Sequence, residues 1–483
     1  MKVQLWLLLS VLGLAVPAVA IGAPDTAQAQ EYILEQLRDG NIADLRQQFP
    51  NEDDRLLSAA FLQGLILNDG QKFAIHRNGV RIHGAVISEP INLSNSEIAQ
   101  MVDLSNCHFT NVRFFQTVFK KGLFMKDSVF DGEVYFAAAT INGGLFFTRS
   151  HFDNHDKGAN FQALKVNGPA VLDQTTFQGP ATFAYAVVDG VFQLSGAYFA
   201  NKDQEAVFNS MNIDRGFFAE KATFEGGVDL INVRLGDNFE GAESHFNNPK
   251  TEISIVMIIR RNLFLGKATF SGKVDFSNTS VGGNIELDQT VFATAPNLSH
   301  VTYESISSHV RLLDLLRNSP SDYSAYNELE SYFQKNGSSS EADEVFMEKK
   351  RYERRQGLNW FESLKSYLSE ILTGFGRRPY RVLYYDLIIV LIGAALFRHR
   401  KMVLKSKATE KTAEADRTEQ TTLPYNAFLY SLTLFAPTID SQYTNNWQPA
   451  PEYRRTKGYR TFEKVAGYIL VPLTIAIWTG IFK

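Results

Sequence analysis

The 483-residue sequence contains a single cysteine, Cys107, and so cannot form a disulfide within the chain. It also lacks an excess of either charge, since 48 Lys and Arg residues stand against 52 Asp and Glu residues. This balance gives no general attraction to nucleic acid, so we predict no nucleic-acid partner. The nine His residues are scattered, and there is no Cys/His cluster, phosphate-binding glycine loop or nucleophile elbow. We therefore predict no enzyme activity, no metal site and no cofactor.

Phenylalanine, by contrast, is abundant, with 37 residues. From Ile82 to Phe292 the apolar residues recur at steps that alternate between five and six, which neither an α-helix nor an uninterrupted strand produces. One run predicted to point inward is Leu93, Ile98, Leu104, Phe109 and Phe115. Small residues occupy one recurring slot, namely Cys107, Ser128, Ala139, Ser150, Thr175, Ala186, Ala197, Ala222, Ala268, Thr279 and Thr290.

Eleven-residue units begin with glycine at Gly132, Gly179, Gly272 and Gly283, where we expect the positive φ of a tight corner. Two units form a coil of 22 residues with four walls. Successive coils should stack at the parallel-strand spacing of about 4.8 Å. The sequence therefore predicts a mainly β solenoid of about ten coils with a core of stacked apolar side chains.

The small residue two positions before a buried Leu or Phe resembles the mark of the pentapeptide-repeat family. The closest matches are A-T-F-E-G at Ala222, A-T-F-S-G at Ala268 and V-D-L-S-N at Val102. This resemblance covers about 210 residues and implies a right-handed four-sided β-helix without enzyme activity. The six-residue steps depart from strict pentapeptides, which puts the square cross-section in question.

A longer period separates Phe152, Phe199, Phe246 and Phe292 by 47, 47 and 46 residues, and a polar excursion follows each of them. Equal register should place these excursions along one edge of the solenoid, which is our candidate contact surface. The candidate contact residues are Asn154, His155, Asp156, Lys157, Lys202, Asp203, Gln204, Glu205, Asn248, Lys250 and Glu252.

The segments on either side of the repeats differ from them in composition. An apolar stretch with two small-x-small sites indicates an export signal at the start, and helical periodicity follows it. We predict a signal peptide at 1–29, a helical N-terminal cap at 30–72, the solenoid at 73–300, a helical neck at 301–376 and a membrane domain at 377–483.

The membrane domain contains two apolar segments predicted to span the bilayer, at about 382–397 and 465–482. A shorter one at about 426–437 is predicted to be re-entrant or interfacial. The basic residues from Arg398 place the following loop in the cytoplasm, which makes a multi-pass protein with its solenoid on the extracytoplasmic, periplasmic side. Asp386 and Asp440 are candidate polar residues of this region.

The function predicted best is a membrane-anchored scaffold of the cell envelope that binds a protein or glycan along the looped edge. A homo-oligomer through the membrane region is also possible on this arrangement. The order of segments, with G-F-G-R-R-P-Y-R from Gly374, resembles a two-helix ion-channel layout, although no T-V-G-Y-G filter is present. A channel-like or transport-related module is therefore the alternative.

Acidic residues of the repeats leave two further functions open. One is glycan cleavage by Asp229 and Asp275, which occupy equivalent positions of the repeat. The second is the binding of calcium by loop acids, which would be Asp153, Asp156, Asp203 and Glu205.

Overall fold

A computed structural model of the chain describes residues 26–308, 310–404, 425–436 and 442–479. The chain divides into two compact units, one up to Glu328 and the other from Leu329. The predicted signal peptide therefore lies almost wholly outside the described residues, as does Asp440. Each unit is described by itself below.

The first unit is a parallel β-solenoid of about ten coils, which confirms the predicted fold class. Its strands are mostly two residues long and build four sheets, one along each wall. From Val80–His83 onward, a strand pairs with the strand 21 to 25 residues further along the chain, as Val129 does with His151 and Val134 with Ala159. Four walls in each coil follow from this order, because every fourth strand returns to the same sheet.

The strands of sheet 1 are Ala43–Asp44, Val80–His83, Val102–Asp103, Leu123–Phe124, Leu145–Phe146, Ala170–Val171, Phe192–Gln193, Phe217–Phe218, Phe239–Glu240, Leu263–Phe264, Asn284–Glu286 and Ser305–Ser307. Those of sheet 2 are Val86–Ile87, His108–Phe109, Val129–Phe130, His151–Phe152, Thr176–Phe177, Tyr198–Phe199, Thr223–Phe224, His245–Phe246, Thr269–Phe270 and Val291–Phe292. Those of sheet 3 are Ile91–Asn92, Val112–Arg113, Val134–Tyr135, Ala159–Asn160, Ala181–Thr182, Ala206–Val207, Val228–Asp229, Glu252–Ser254 and Lys273–Asp275. Those of sheet 4 are Glu97–Ile98, Val118–Phe119, Thr140–Ile141, Lys165–Val166, Val187–Val188, Asn212–Ile213, Val233–Leu235, Met257–Ile259 and Ser280–Val281.

The core contains a continuous stack of phenylalanine rings on the inner side of sheet 2. Neighbouring rings lie 4.6–5.2 Å apart between centroids and within 2–13° of parallel. This separation matches the spacing of hydrogen-bonded strands, so ring stacking and strand pairing reinforce each other. The rings of this stack are Phe109, Phe130, Phe152, Phe177, Phe199, Phe224, Phe246, Phe270 and Phe292.

The small slot follows a corner residue with positive φ. At one such corner Ala138 has a φ of 56°, and the Ala139 N–H donates to the Phe136 carbonyl at 3.0 Å. The eleven small residues are all buried, and their hydroxyls bond to carbonyls of the preceding coil, as Ser150 Oγ does to Met125 at 2.7 Å. Cys107 occupies this slot, and burial raises the pKa of its thiol to about 12, which keeps it unreactive.

The predicted role of the unit-starting glycines is wrong, because positive φ falls on residues such as Ala138 and not on them. What excludes a side chain at these positions is a close approach between coils. A Cβ added to Gly179 would lie 2.0 Å from the Asn154 carbonyl oxygen, and one at Gly272 would lie 2.5 Å from that of Asn248. The glycines are thus required by packing and not by backbone angle.

The N-terminal helices hydrogen-bond to the first coil. They are α1 (Thr26–Asp39), α2 (Leu45–Gln48) and α3 (Ala59–Leu67). The amide of Leu57 donates to the Val86 carbonyl at 2.9 Å, and the side chain of Gln100 donates to the Leu65 carbonyl at 2.7 Å. The Leu57 contact satisfies a strand-edge carbonyl that an open solenoid end would expose, and the Gln100 contact satisfies a carbonyl of α3.

Helices α4 (Leu312–Arg317) and α5 (Tyr323–Lys335) follow the last coil. The described part of the second unit contains the end of α5 and the helices α6 (Ser339–Arg355), α7 (Trp360–Thr373), α8 (Tyr380–Leu396), α9 (Ala427–Phe435), α10 (Gln442–Asn446) and α11 (Arg454–Trp478). A short antiparallel pair joins Met402–Leu404 to Trp447–Pro449. Helix α7 is joined to the basic run of α6 by ion pairs. Glu370 of α7 accepts from Arg351 and Arg354 of α6, each at 2.7 Å.

Within the described residues, only α11 is both long and apolar enough to cross a membrane. Helix α8, at 17 residues, measures about 26 Å and falls short of the roughly 30 Å hydrocarbon core.

Phe115 was predicted to point inward, which is wrong, because Phe114 is fully buried and Phe115 is only half-buried. Changing Phe114 to Ala should therefore lower the free energy of unfolding by about 3–5 kcal/mol. Phe115→Ala is the matched control and should cost less than about 1.5 kcal/mol. Chemical denaturation followed by circular dichroism measures both, and equal losses would contradict this packing.

Candidate functional site

The three polar excursions that follow Phe152, Phe199 and Phe246 lie at the same corner, between sheet 2 and sheet 3. Residues 153–158 and 200–205 make six-residue connections, and 247–251 make one of five residues. In the coils between them the corresponding connections, 178–180 and 225–227, have only three. Long and short connections thus alternate, which brings the long loops together along one edge.

Each long loop is built around an asparagine that orders its backbone. Asn154 Oδ1 accepts from the Asp156 and Lys157 amides at 3.0 and 2.7 Å. Asn201 Oδ1 accepts from the amides of Asp203 and Gln204 at 3.0 and 3.1 Å, and Asn248 Oδ1 accepts from that of Lys250 at 2.9 Å. These local bonds are typical of Asx turns and give the three loops a shared conformation.

The second and third loops also touch each other. Asn248 Nδ2 donates to the Lys202 carbonyl at 2.9 Å across the intervening short connection. That approach is possible because Gly226 lies below the second loop, where an added Cβ would be 2.3 Å from the Asn201 carbonyl oxygen. The three loops together form a ridge along this edge, which we call the loop ridge and which comprises residues 153–158, 200–205 and 247–251.

The predicted contact residues divide into anchors and exposed groups. Asn154 and Asn248 are half-buried anchors of the Asx turns, and Glu252 begins a strand of sheet 3 beside Lys273. The other predicted residues and Glu252 project into solvent, so the exposed group is His155, Asp156, Lys157, Lys202, Asp203, Gln204, Glu205, Lys250 and Glu252. Only the exposed group could meet a partner through its side chains.

Carboxylates gather on the sheet 3 side of the ridge. Glu205 is exposed, but its carboxyl group is partly desolvated, which raises its pKa above the usual value, and the charges of Asp229 and Glu252 raise it further. A carboxylate held near two others destabilises the fold at neutral pH, and arrangements of this kind are frequent at functional sites.

The ridge offers a surface and not a pocket. The cleft below the second loop, lined by Gly179, Phe199 and Glu205, has a volume of about 10 Å³. This volume accommodates at most one water molecule. A partner bound here would have to lie on the ridge and reach several loops at once.

The two carboxylates considered for glycan cleavage accept hydrogen bonds from backbone amides in local turns. Asp229 accepts from the Ile231 amide at 3.0 Å, and Asp275 accepts from the Ser277 amide at 2.8 Å. Ser254 stands between them in the sheet, so they lie two coils apart. Within the described residues, no three His, Cys, Asp or Glu side chains are grouped to hold a metal ion.

Sequence reasoning missed four phenylalanines on the outer face of sheet 1. Phe124, Phe146, Phe218 and Phe264 are half-buried there, and the first two rings stack at 4.6 Å with Lys126 above both. A signal was available, because each follows another apolar residue in a two-residue strand. Two successive residues of a strand point to opposite faces, so one of each pair must face outward.

In the second unit, Asp386 of α8 accepts a hydrogen bond from Thr474 Oγ1 of α11 at 2.7 Å. A second carboxyl was not predicted at all. Glu463 of α11 is fully buried and contacts the Ser431 hydroxyl of α9. Its immediate neighbours are Phe462 and Lys464, which give no sign of burial, so only the packing of three helices reveals that it is enclosed.

Comparison of the chain with protein-family models, with curated proteins and with solved structures gave no match. The functional interpretation therefore rests on the coil geometry, the loop ridge and the chemistry of the second unit.

The crowding of carboxylates at the ridge makes a pH-dependent prediction. Because the folded protein holds the Glu205 proton more tightly than the unfolded chain, stability is lost as pH rises through the raised pKa. Glu205→Gln should therefore stabilise the protein at neutral pH and have no effect below about pH 4. Urea denaturation at both pH values measures this, with Asp203→Asn as a control that removes a charge from the same loop. A Gln variant no more stable than wild type at neutral pH would contradict the prediction.

Proposed function

We propose that this protein is a non-catalytic, membrane-anchored scaffold whose loop ridge binds a protein or glycan of the cell envelope. The observation that carries the proposal is the common conformation and shared corner of the three loops. Asn154, Asn201 and Asn248 order equivalent turns at intervals of 47 residues, so similar surfaces recur at a fixed spacing. A partner with repeated groups, such as an extended protein segment or a glycan chain, suits such a ridge.

Membrane attachment is supported by the apolar surface of the second unit. Helix α8 exposes Leu387, Ile388 and Leu391 by about half each, and α11 exposes Ile469 by 62%. Large contiguous apolar surfaces are rare on proteins that stay in water. Helix α7 adds an apolar side with Trp360, 79% exposed, at its start, which is suited to the membrane interface.

The proposed orientation in the membrane, with the loop after α8 in the cytoplasm, is supported by basic residues at the end of α8 and the start of α11. Arg398, Arg400 and Lys401 directly follow α8, and the short antiparallel pair connects this end to the region before α11. A groove of about 580 Å³ lies beside the start of α11, with a lining that includes Lys457, Arg460 and Lys464. Basic residues of this kind favour the cytoplasmic side and anionic lipid headgroups.

We further propose that the solenoid belongs with the pentapeptide repeats and shares their right-handed winding. The four walls, the positive-φ corner and the small buried slot support this assignment. A multi-pass arrangement would need α8 to cross the bilayer with help from its flanking residues, as short helices do when the bilayer thins.

The loop ridge can be tested with two matched variants of the full chain. Replacing His155, Lys157, Lys202, Asp203 and Lys250 with serine keeps the asparagine anchors and should abolish crosslinked capture of a partner from intact cells. The control replaces outward residues of sheet 4, which are Lys165, Asn212 and Arg234, and should retain capture. Equal capture by both variants would reject the ridge as the contact surface.

The alternative, a channel-like or transport-related module, draws support from polar groups inside the second unit. Asp386 Oδ1, Tyr430 Oη and Glu463 Oε2 are buried and unpartnered among the described residues. Reconstitution of the full chain in planar bilayers tests this alternative. The scaffold proposal expects no conductance above that of a chain ending at Gly374, whereas a current that is lost on this truncation would favour the channel.

A further inference from the structure

Glu463 occupies the meeting point of three helices in the second unit. Its side chain is 0% exposed. One carboxyl oxygen contacts Ser431 Oγ of α9, and the same hydroxyl lies 2.8 Å from the Val390 carbonyl oxygen of α8. A single hydroxyl therefore lies between a carboxyl group and a backbone carbonyl.

The number of protons in this chain of contacts determines the state of the carboxyl. A serine hydroxyl carries one hydrogen, and a carbonyl oxygen can only accept. If Ser431 donates to Val390, its contact with Glu463 is a hydrogen bond only when Glu463 carries a proton and donates it. If Ser431 instead donates to an ionised Glu463, two oxygen acceptors face each other at 2.8 Å. The neutral acid satisfies both contacts.

The remaining surroundings also favour the neutral form. The other oxygen of Glu463 is buried without a hydrogen-bond partner, and within the described residues no Lys, Arg or His forms an ion pair with it. A buried and unpaired carboxylate would cost several kcal/mol. The titratable groups nearby are Tyr430 from α9 and Tyr459 from α11, and Arg460 of α11 interacts with Tyr430. From α8, the Val390 carbonyl and Gly393 face this site.

Two glycines bring the helices close enough for this arrangement. A Cβ on Gly393 of α8 would lie 2.2 Å from Ser431 Oγ and 2.5 Å from the nearer oxygen of Glu463. A Cβ on Gly467, one turn after Glu463, would lie 1.8 Å from the Phe435 carbonyl oxygen of α9. Small residues at such crossings permit close helix packing. Because the helices pack this closely and Glu463 is fully buried, water has little room to solvate a negative charge there.

We propose that Glu463 is a proton-binding site, and that its bound proton joins α8, α9 and α11 through Ser431 and the Val390 carbonyl. Loss of the proton leaves a carboxylate with no ion-pair partner among the described residues and removes the donor of the hydrogen-bond chain. The three helices then separate enough to admit water. The second unit thereby responds to pH, whether or not it anchors the protein in a membrane.

The proton itself can be observed by infrared difference spectroscopy of the full chain in detergent. Wild type should show the carbonyl stretch of a protonated carboxyl at neutral pH, and this band should be absent from Glu463→Gln. Asp386→Asn is the matched control, since it removes another carboxyl of the same three helices and should leave the band in place. A band absent from wild type, or retained in Glu463→Gln, would overturn the proposal.

Thermal unfolding between about pH 5 and about pH 8 tests the consequence for packing. Because the folded unit holds the proton, wild type should lose stability as pH rises. Glu463→Gln keeps a hydrogen-bond donor without an ionisable proton, so its melting temperature should not follow this trend. A Gln variant with the same pH dependence as wild type would show that the transition comes from other groups. Glu463→Ala, which leaves a cavity, should be less stable than Glu463→Gln throughout.

Discussion

The spacing between successive coils is the constraint on which the first unit depends. Strands that share hydrogen bonds must lie about 4.8 Å apart, and flat aromatic rings stack favourably at nearly the same separation. The column from Phe109 to Phe292 meets both requirements, with centroids 4.6–5.2 Å apart. Because a coil holds only two residues in each wall, one side chain per wall faces the axis. The small slot, the positive-φ corner and the glycines below the loops all serve to keep this spacing.

This constraint explains how much of the solenoid could be predicted from sequence. Apolar steps of five and six residues, with a small residue at a fixed place, follow from short walls and tight corners, and they predicted the coil length. The prediction that Phe115 points inward was wrong because Phe114 is the buried residue. When two phenylalanines are adjacent, the apolar pattern does not show which of them faces the core. The need for glycine at position 179 was wrongly explained by a positive φ. The actual reason is a carbonyl of the preceding coil that lies close to it, and the sequence does not reveal which carbonyl that is.

The second unit shows where such prediction ends. Its helices could be anticipated from apolar periodicity, but Glu463 meets Ser431, 32 residues earlier, and Gly393, 70 residues earlier. No local pattern encodes these contacts, because helix packing depends on shape and not on a repeat. The loop ridge could be predicted in part from the sequence. Its recurrence at 47 residues could be read directly, whereas the division of its asparagines into anchors and of its charged residues into exposed groups needed the three-dimensional structure.

The alternation of long and short connections has an evolutionary consequence. Each coil contacts mainly its two neighbours, so a whole block of 47 residues can be duplicated or deleted at little cost to the coils that remain. Every such event would add or remove one asparagine-ordered loop and change the reach of the ridge by about 10 Å. Relatives of this protein should therefore differ in ridge length by whole blocks, and their partners should differ in size accordingly.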